Sequence, residues 1–148
     1  MPGYPLFAPS AQERLPRLEE LCDAAQRYDG TAPLDEATWR TLRHEPQAVA
    51  QFLVIEQPAP DSDLTRQGPA LGGWAAAALR IGQEVHLVVH PDFRRAGRGG
   101  SLLRALLDRA PAGELTAWSH GGHPAAARLA AETGFEPIRA LWVLRRPD

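Results

Sequence analysis

The sequence contains no lysine, one cysteine, no long apolar run and no marked excess of either charge. All 16 basic residues are therefore arginine. With abundant alanine, proline and glycine, this reads as biased codon usage rather than a functional device. A lone Cys22 excludes an internal disulfide, and its helical spacing among Leu18, Leu21 and Ala25 marks a buried thiol rather than a nucleophile. No apolar stretch approaches the roughly 18 residues of a membrane helix, and no basic region followed by an apolar one opens the chain. The expectation is a soluble, cytoplasmic protein with no membrane partner. Because 16 basic residues face 18 acidic ones, nothing in the overall charge points to nucleic acid, and any anion site must be local.

What is present suffices for one domain spanning residues 1–148. The length is that of one compact unit, 44% hydrophobic residues supply a core, and no internal repeat is visible. After a short extended segment at Tyr4 to Ala8, Ser10 and Glu13 form a capping-box pattern ahead of Leu15, Leu18, Leu21 and Ala25. Pro16 argues for a helix start a few residues later. Asp29-Gly30 breaks that helix, and Asp35 caps a second one ending near Pro46. Gln51 to Glu56 reads as a buried strand, and Gln57 to Pro69 as a loose, poorly ordered connection. A hairpin follows, with strands from Leu71 to Arg80 and Glu84 to His90 and a turn at Ile81-Gly82; Pro91 stops it. The remaining elements are a helix from Gly99 to Ala110, a strand at Leu115 to Ser119, a helix from Pro124 to Glu132 capped by Gly134, and one last strand from Pro137 to Arg146. The fold class is α/β in the α+β sense.

Chemistry concentrates between the second hairpin strand and the third helix, in His90-Pro91-Asp92-Phe93-Arg94-Arg95-Ala96-Gly97-Arg98-Gly99-Gly100-Ser101. Small residues there let backbone approach a ligand, and the unpaired amides of a helix start suit a pyrophosphate. Arg94, Arg95 and Arg98 add local positive charge. A capping turn with solvated arginines is the bland alternative, but the strand, the proline stop, the paired arginines and the apolar helix agree on a site.

This segment resembles the signature of the GNAT acyltransferases, in which Q/R-x-x-G-x-G/A follows the fourth strand and binds acyl-CoA. Arg94, Gly97 and Gly99 stand at the defining positions, and Gly134-Phe135 is similar to the family's C-terminal Gly-Phe. The resemblance implies a single GNAT fold, with a central mixed, mostly antiparallel sheet flanked by about four helices, and acetyl-CoA as co-substrate. It also implies that the fourth and fifth strands splay apart, with Leu87, Val88 and Val89 pairing with the pantetheine arm and Arg94 to Ser101 cradling the pyrophosphate.

A closer similarity is to the mycothiol synthases, especially their N-terminal repeat. It runs through Asp29 to Leu34, Leu87 to Pro91, Trp118-Ser119-His120-Gly121 and Arg145-Arg146-Pro147. Those proteins have two GNAT repeats and acetylate the cysteinyl amine of a glucosaminyl-inositol, whereas this chain holds one repeat. A homodimer would restore the pair, with the last strand and Trp142 as contact.

Amine acetylation needs a base for the ammonium proton and an acid for the departing thiolate. Glu84 and His86 share one face of a strand and His120 ends the next one, so these three are the catalytic candidates, the histidines titrating near neutrality. Many relatives carry an acidic tyrosine four residues before the Gly-Phe pair, where Ala130 stands, and an asparagine where His123 stands. Glu36, Trp118 and His123 are candidates for holding the acceptor. Two readings follow: an acetyltransferase acting on a small-molecule primary amine, and a catalytically silent acyl-CoA-binding module favoured by Ala130.

Overall fold

The chain runs α1 (Ala11–Asp29), α2 (Glu36–His44), β1 (Val49–Glu56), β2 (Trp74–Ile81), β3 (Glu84–Val89), α3 (Arg98–Arg109), β4 (Gly113–Trp118), α4 (Pro124–Glu132), β5 (Glu136–Ile138) and β6 (Leu141–Arg146). The structure is a computed structural model that describes residues 4–58, 73–94, 96–118, 124–138 and 141–146.

Local chemistry sets the helix ends. Ser10 accepts the Glu13 N–H at 3.3 Å and starts α1 at Ala11. Pro16 does not delay that start. It lies inside the helix on its exposed side, where the Gln12 carbonyl that it leaves without a partner can turn to water. Gly30, at φ +82°, ends α1 and donates its N–H to the Gln26 carbonyl. Asp35 opens α2 by accepting both the Thr38 N–H, at 2.8 Å, and the buried Thr38 hydroxyl, at 2.6 Å.

Strand order in the sheet is β1-β2-β3-β4-β6-β5, antiparallel throughout except for the parallel pair β3–β4. The extended segment at Tyr4 to Ala8 adds only a bridge, Phe7 to Val54. The strand that the family counts as fourth is therefore β3. The hairpin turn falls on Gly82 and Gln83, since Ile81 still pairs with Glu84. The single last strand expected from Pro137 to Arg146 is instead a hairpin, in which Ile138 pairs with Leu141 across a two-residue link. Its second arm, β6, inserts between β4 and β5, with Leu141, Trp142 and Val143 paired on both edges. Beyond Pro58, the loose connection expected up to Pro69 lies outside the described residues, as does the start of the second strand at Leu71.

Alternation along the strands builds two cores. Leu53, Ile55, Ala76, Ala78, Val85 and Leu115 face α3, which buries Leu102, Leu103, Leu106 and Leu107 against them. Each of those leucines contributes about 1.5–3 kcal/mol by leaving water. Phe52, Val54, Ala77, Leu79 and Val88 point the other way, onto Leu18, Leu21, Cys22 and Ala25 of α1 and Leu42 of α2. With helices on both faces, β1 and β2 read as nearly continuous buried runs. Ala75, Ala76, Ala77 and Ala78 of β2 are fully buried, so both helical layers approach within a methyl group of this strand. No helix among the described residues is long and apolar enough to cross a membrane.

Candidate functional site

The glycine-rich turn follows the C-terminal end of β3. β3 and β4 are in register only at Glu84–Thr116 and Val85–Ala117, beside a bond from the Thr116 N–H to the Gln83 carbonyl at 2.8 Å. Among the described residues the β3–β4 register reaches no further than Val85–Ala117. Across the other edge, β3 stays paired to β2 up to Val89–Ala76. His90 then donates its N–H to the Ala75 carbonyl, and Pro91–Phe93 form a 3-10 turn that leads to α3.

Gly97 precedes α3 at φ +84°, a left-handed conformation that glycine adopts without strain. No side chain caps the helix, and the first intrahelical bond runs from the Ser101 N–H to the Gly97 carbonyl at 3.0 Å. The amides of Arg98, Gly99 and Gly100 come before that bond. Amides placed this way at a helix N-terminus, with the helix dipole behind them, are able to receive an anion. Gly99 serves a different need. A Cβ there would stand 3.3 Å from Leu129 and from Val89, and 3.4 Å from Leu87, so glycine lets α3 lie against β3 and α4. At Gly100 the one tight contact of a Cβ would be the movable end of Arg104, at 2.9 Å, with Leu129 at an ordinary 3.6 Å.

The two described arginines of the turn brace it. Arg94 Nε donates to the Val89 carbonyl at 3.1 Å, and its two terminal nitrogens hold the Asp29 carboxylate at 2.8 Å each. Arg98 packs its guanidinium on the rings of Tyr4, 4.6 Å away, and Phe93, 5.3 Å away, and donates to the Phe93 carbonyl at 3.3 Å. The Tyr4 hydroxyl donates to the Ala96 carbonyl. Arg95 lies outside the described residues.

The Acetyltransferase (GNAT) family model matches residues 18–135. The chain belongs to the GNAT acetyltransferase family. It is similar to the mycothiol acetyltransferase of Nocardioides sp. (strain ATCC BAA-499 / JS614), 44% identical over 137 residues that make up 92% of this chain and 40% of the relative. The mycothiol acetyltransferase of Catenulispora acidiphila is 40% identical over 135 residues, 88% of this chain and 43% of the relative. The chain thus spans about two fifths of the length of these relatives. Among solved structures, yncA of Salmonella typhimurium, a putative acetyltransferase solved with acetyl-CoA, aligns with a TM-score of 0.68 at 14% identity over 99% of this chain and 96% of that one. The ribosomal-protein-S18-alanine N-acetyltransferase of Escherichia coli gives 0.66 at 19%, over 97% and 94%. Likeness at these identities shows the fold.

Within this GNAT frame the remaining candidates separate. Leu87 and Val89 turn their side chains toward α3 and Val88 toward α1, and their main chain lies past the described β3–β4 register. Glu84 and His86 share the α1 face, with His86 Nε2 3.6 Å from Glu84 Oε1; the Glu84 side chain is 50% exposed and that of His86 3%. Glu36 stands exposed in the first turn of α2, its ionic contact being Arg43 at 3.8 Å, and no described contact joins it to Glu84 or to the turn. Trp118 ends β4 opposite Leu141, but its side chain, His120 and His123 lie outside what the structure describes. Ala130 is buried in the α3-side core, and its carbonyl accepts the Phe135 N–H at 2.8 Å. Cys22 is buried beneath α1, and burial, with Asp23 and Glu19 nearby, pushes its thiol up to about 12. It is no nucleophile.

Two residues of this region escaped the sequence reading as parts of the site: Tyr4 and Asp29. His90 helps line a cavity of about 540 Å³ on the α1 face, together with Glu20, Arg27, Tyr28, Trp74 and Asp92. That cavity lies six residues along the chain from Glu84, about 20 Å at the rise of a strand. It therefore belongs to the turn end of β3 and not to the Glu84 end.

Proposed function

We propose that this GNAT domain, residues 1–148 acting as one unit, binds acetyl-CoA and transfers acetyl to a primary amine of a small molecule. One observation carries the reading: the end of β3, past its described register with β4, leads through a short turn to the uncapped amides of Arg98, Gly99 and Gly100. An extended polar arm ending in a pyrophosphate matches that sequence of features. The amides would hold the pyrophosphate, and the main chain of Leu87 to Val89 the arm. When bound, acetyl-CoA supplies an acetyl group activated as a thioester.

Glu84 is the base of this proposal. Its carboxylate is half exposed beside the β3–β4 register, open to solvent and to an incoming ammonium. Taking the proton there leaves a neutral amine able to attack the thioester carbonyl; collapse of the adduct would form the amide, break the carbon–sulfur bond and release the CoA thiolate to take a proton from solvent. His86, buried behind Glu84, orients the carboxylate and accepts the proton in turn. The likeness to mycothiol acetyltransferases favours a cysteinyl amine on a glucosaminyl-inositol as the acceptor.

A second reading, a silent acyl-CoA-binding module, draws on Ala130, whose buried methyl offers no proton to a departing thiolate. Thiol release from acetyl-CoA against a panel of small amines, run beside a calorimetric titration with CoA, separates the two. Amine-dependent release supports the transferase. Binding without release supports the module, and absence of both overturns the cofactor reading itself.

A further inference from the structure

We propose that Asp29 is a positioning residue for the cofactor turn, acting through Arg94. The inference rests on the reading of this turn as an acyl-CoA site and adds a residue to it from a distant element. Asp29 is the last residue of α1, where the negative end of the helix dipole disfavours a carboxylate. Its place is explained by its partner. Both carboxylate oxygens are held by the Arg94 fork at 2.8 Å, across 65 positions of sequence, and each side chain is only about a fifth exposed. The remaining Arg94 donor, Nε, grips the carbonyl of Val89, the last residue of β3. The Tyr28 ring lies against the same guanidinium, 5.7 Å away.

One side chain thus ties three things together: the end of α1, the end of β3 and the start of the glycine turn. A planar guanidinium engaged on both terminal nitrogens and on Nε has little freedom left. Its charge is also largely neutralised by Asp29. Arg94 consequently serves the anion site by fixing the turn from which the Arg98, Gly99 and Gly100 amides project, and those amides carry the contact with phosphate. Without Asp29, the fork is released and the turn is held by Val89 alone on that side.

The test is CoA binding by calorimetry in Asp29→Ala, Asp29→Glu, Arg94→Gln and the double variant Asp29→Ala/Arg94→Gln, each with a thermal melt. Glutamine keeps a donor for the Val89 carbonyl but cannot form the fork. Asp29→Ala is expected to weaken CoA about tenfold, equivalent to about 1.4 kcal/mol, with Asp29→Glu recovering most of the loss. In the Arg94→Gln background the same alanine change is expected to have no further effect on Kd. An unchanged Kd in Asp29→Ala, even with a lowered melting temperature, overturns the inference and leaves Asp29 a merely structural residue. Losses that add in the double variant overturn it as well. Failure of the wild-type protein to bind CoA overturns the cofactor reading and this inference together, whereas binding that ignores Asp29 overturns only the inference.

Discussion

The two ends of β3 are built in opposite ways. At its C-terminal end the strand runs into a turn fixed by main-chain bonds, a left-handed glycine, two braced arginines and contacts from Tyr4 and Asp29. At its N-terminal end, described side-chain chemistry rests on the half-exposed Glu84 and the buried His86 behind it. Under the proposed function, the difference would place ligand holding in backbone and packing, and proton transfer on Glu84 with His86 behind it. Substitutions at the two ends should therefore separate binding from turnover.

The largest effect is expected at the Glu84 end. Glu84→Gln should lower amine-dependent thiol release about a hundredfold or more, as befits loss of a general base, with the calorimetric Kd for CoA unchanged. Equal turnover in that variant would remove Glu84 from the mechanism. At the other end, Gly99→Leu should push α3 away from Val89 and Leu129, destabilising the fold by about 1–3 kcal/mol. CoA affinity should fall at least about tenfold, so calorimetry together with a denaturant melt checks both parts. Gly97→Ala sharpens the contrast, because there the surrounding space is open and only the φ of +84° resists a side chain. About 1–2 kcal/mol of stability should be lost, and an equal loss in Gly97→Asn would argue against backbone strain as the cause. The smallest effect under ordinary conditions belongs to Cys22. Its thiol keeps its proton in the fold up to about pH 12, against an ordinary value of 9.0, so stability is full below pH 9 and falls as pH rises from 9 toward 12. Denaturant melts across that range should show the fall, and Cys22→Ala should abolish that part of it.

Much of this architecture was legible because its signals are local. Ser10, Asp35, Gly30 and Gly134 mark helix ends through bonds or dihedrals that span a few residues. Strand, proline stop, glycine spacing and leucine pattern all point to the turn between β3 and α3 without reference to anything distant. The roles of its arginines were not legible, since a guanidinium serves equally as a phosphate ligand or as a brace. What decides for Arg94 is Asp29, 65 residues away, and for Arg98 it is Tyr4, at the other end of the chain. The last strand misled for a related reason. Alternation continues smoothly from Pro137 to Arg146, and only pairing across the two-residue link reveals two strands where the pattern suggests one. Pro16 misled by rule, since its penalty is small where the orphaned carbonyl faces solvent.

The four buried alanines of β2 have a bearing on how this domain can vary. Each is fully buried and belongs to the core on one face of the sheet or the other, so a larger side chain at any of them should crowd its neighbours. A saturation scan would trace these four positions as a dark band in which almost only glycine and serine survive. Adaptation of the domain to new acceptors must then proceed through its rims, while this interior stripe stays silent in any evolutionary record.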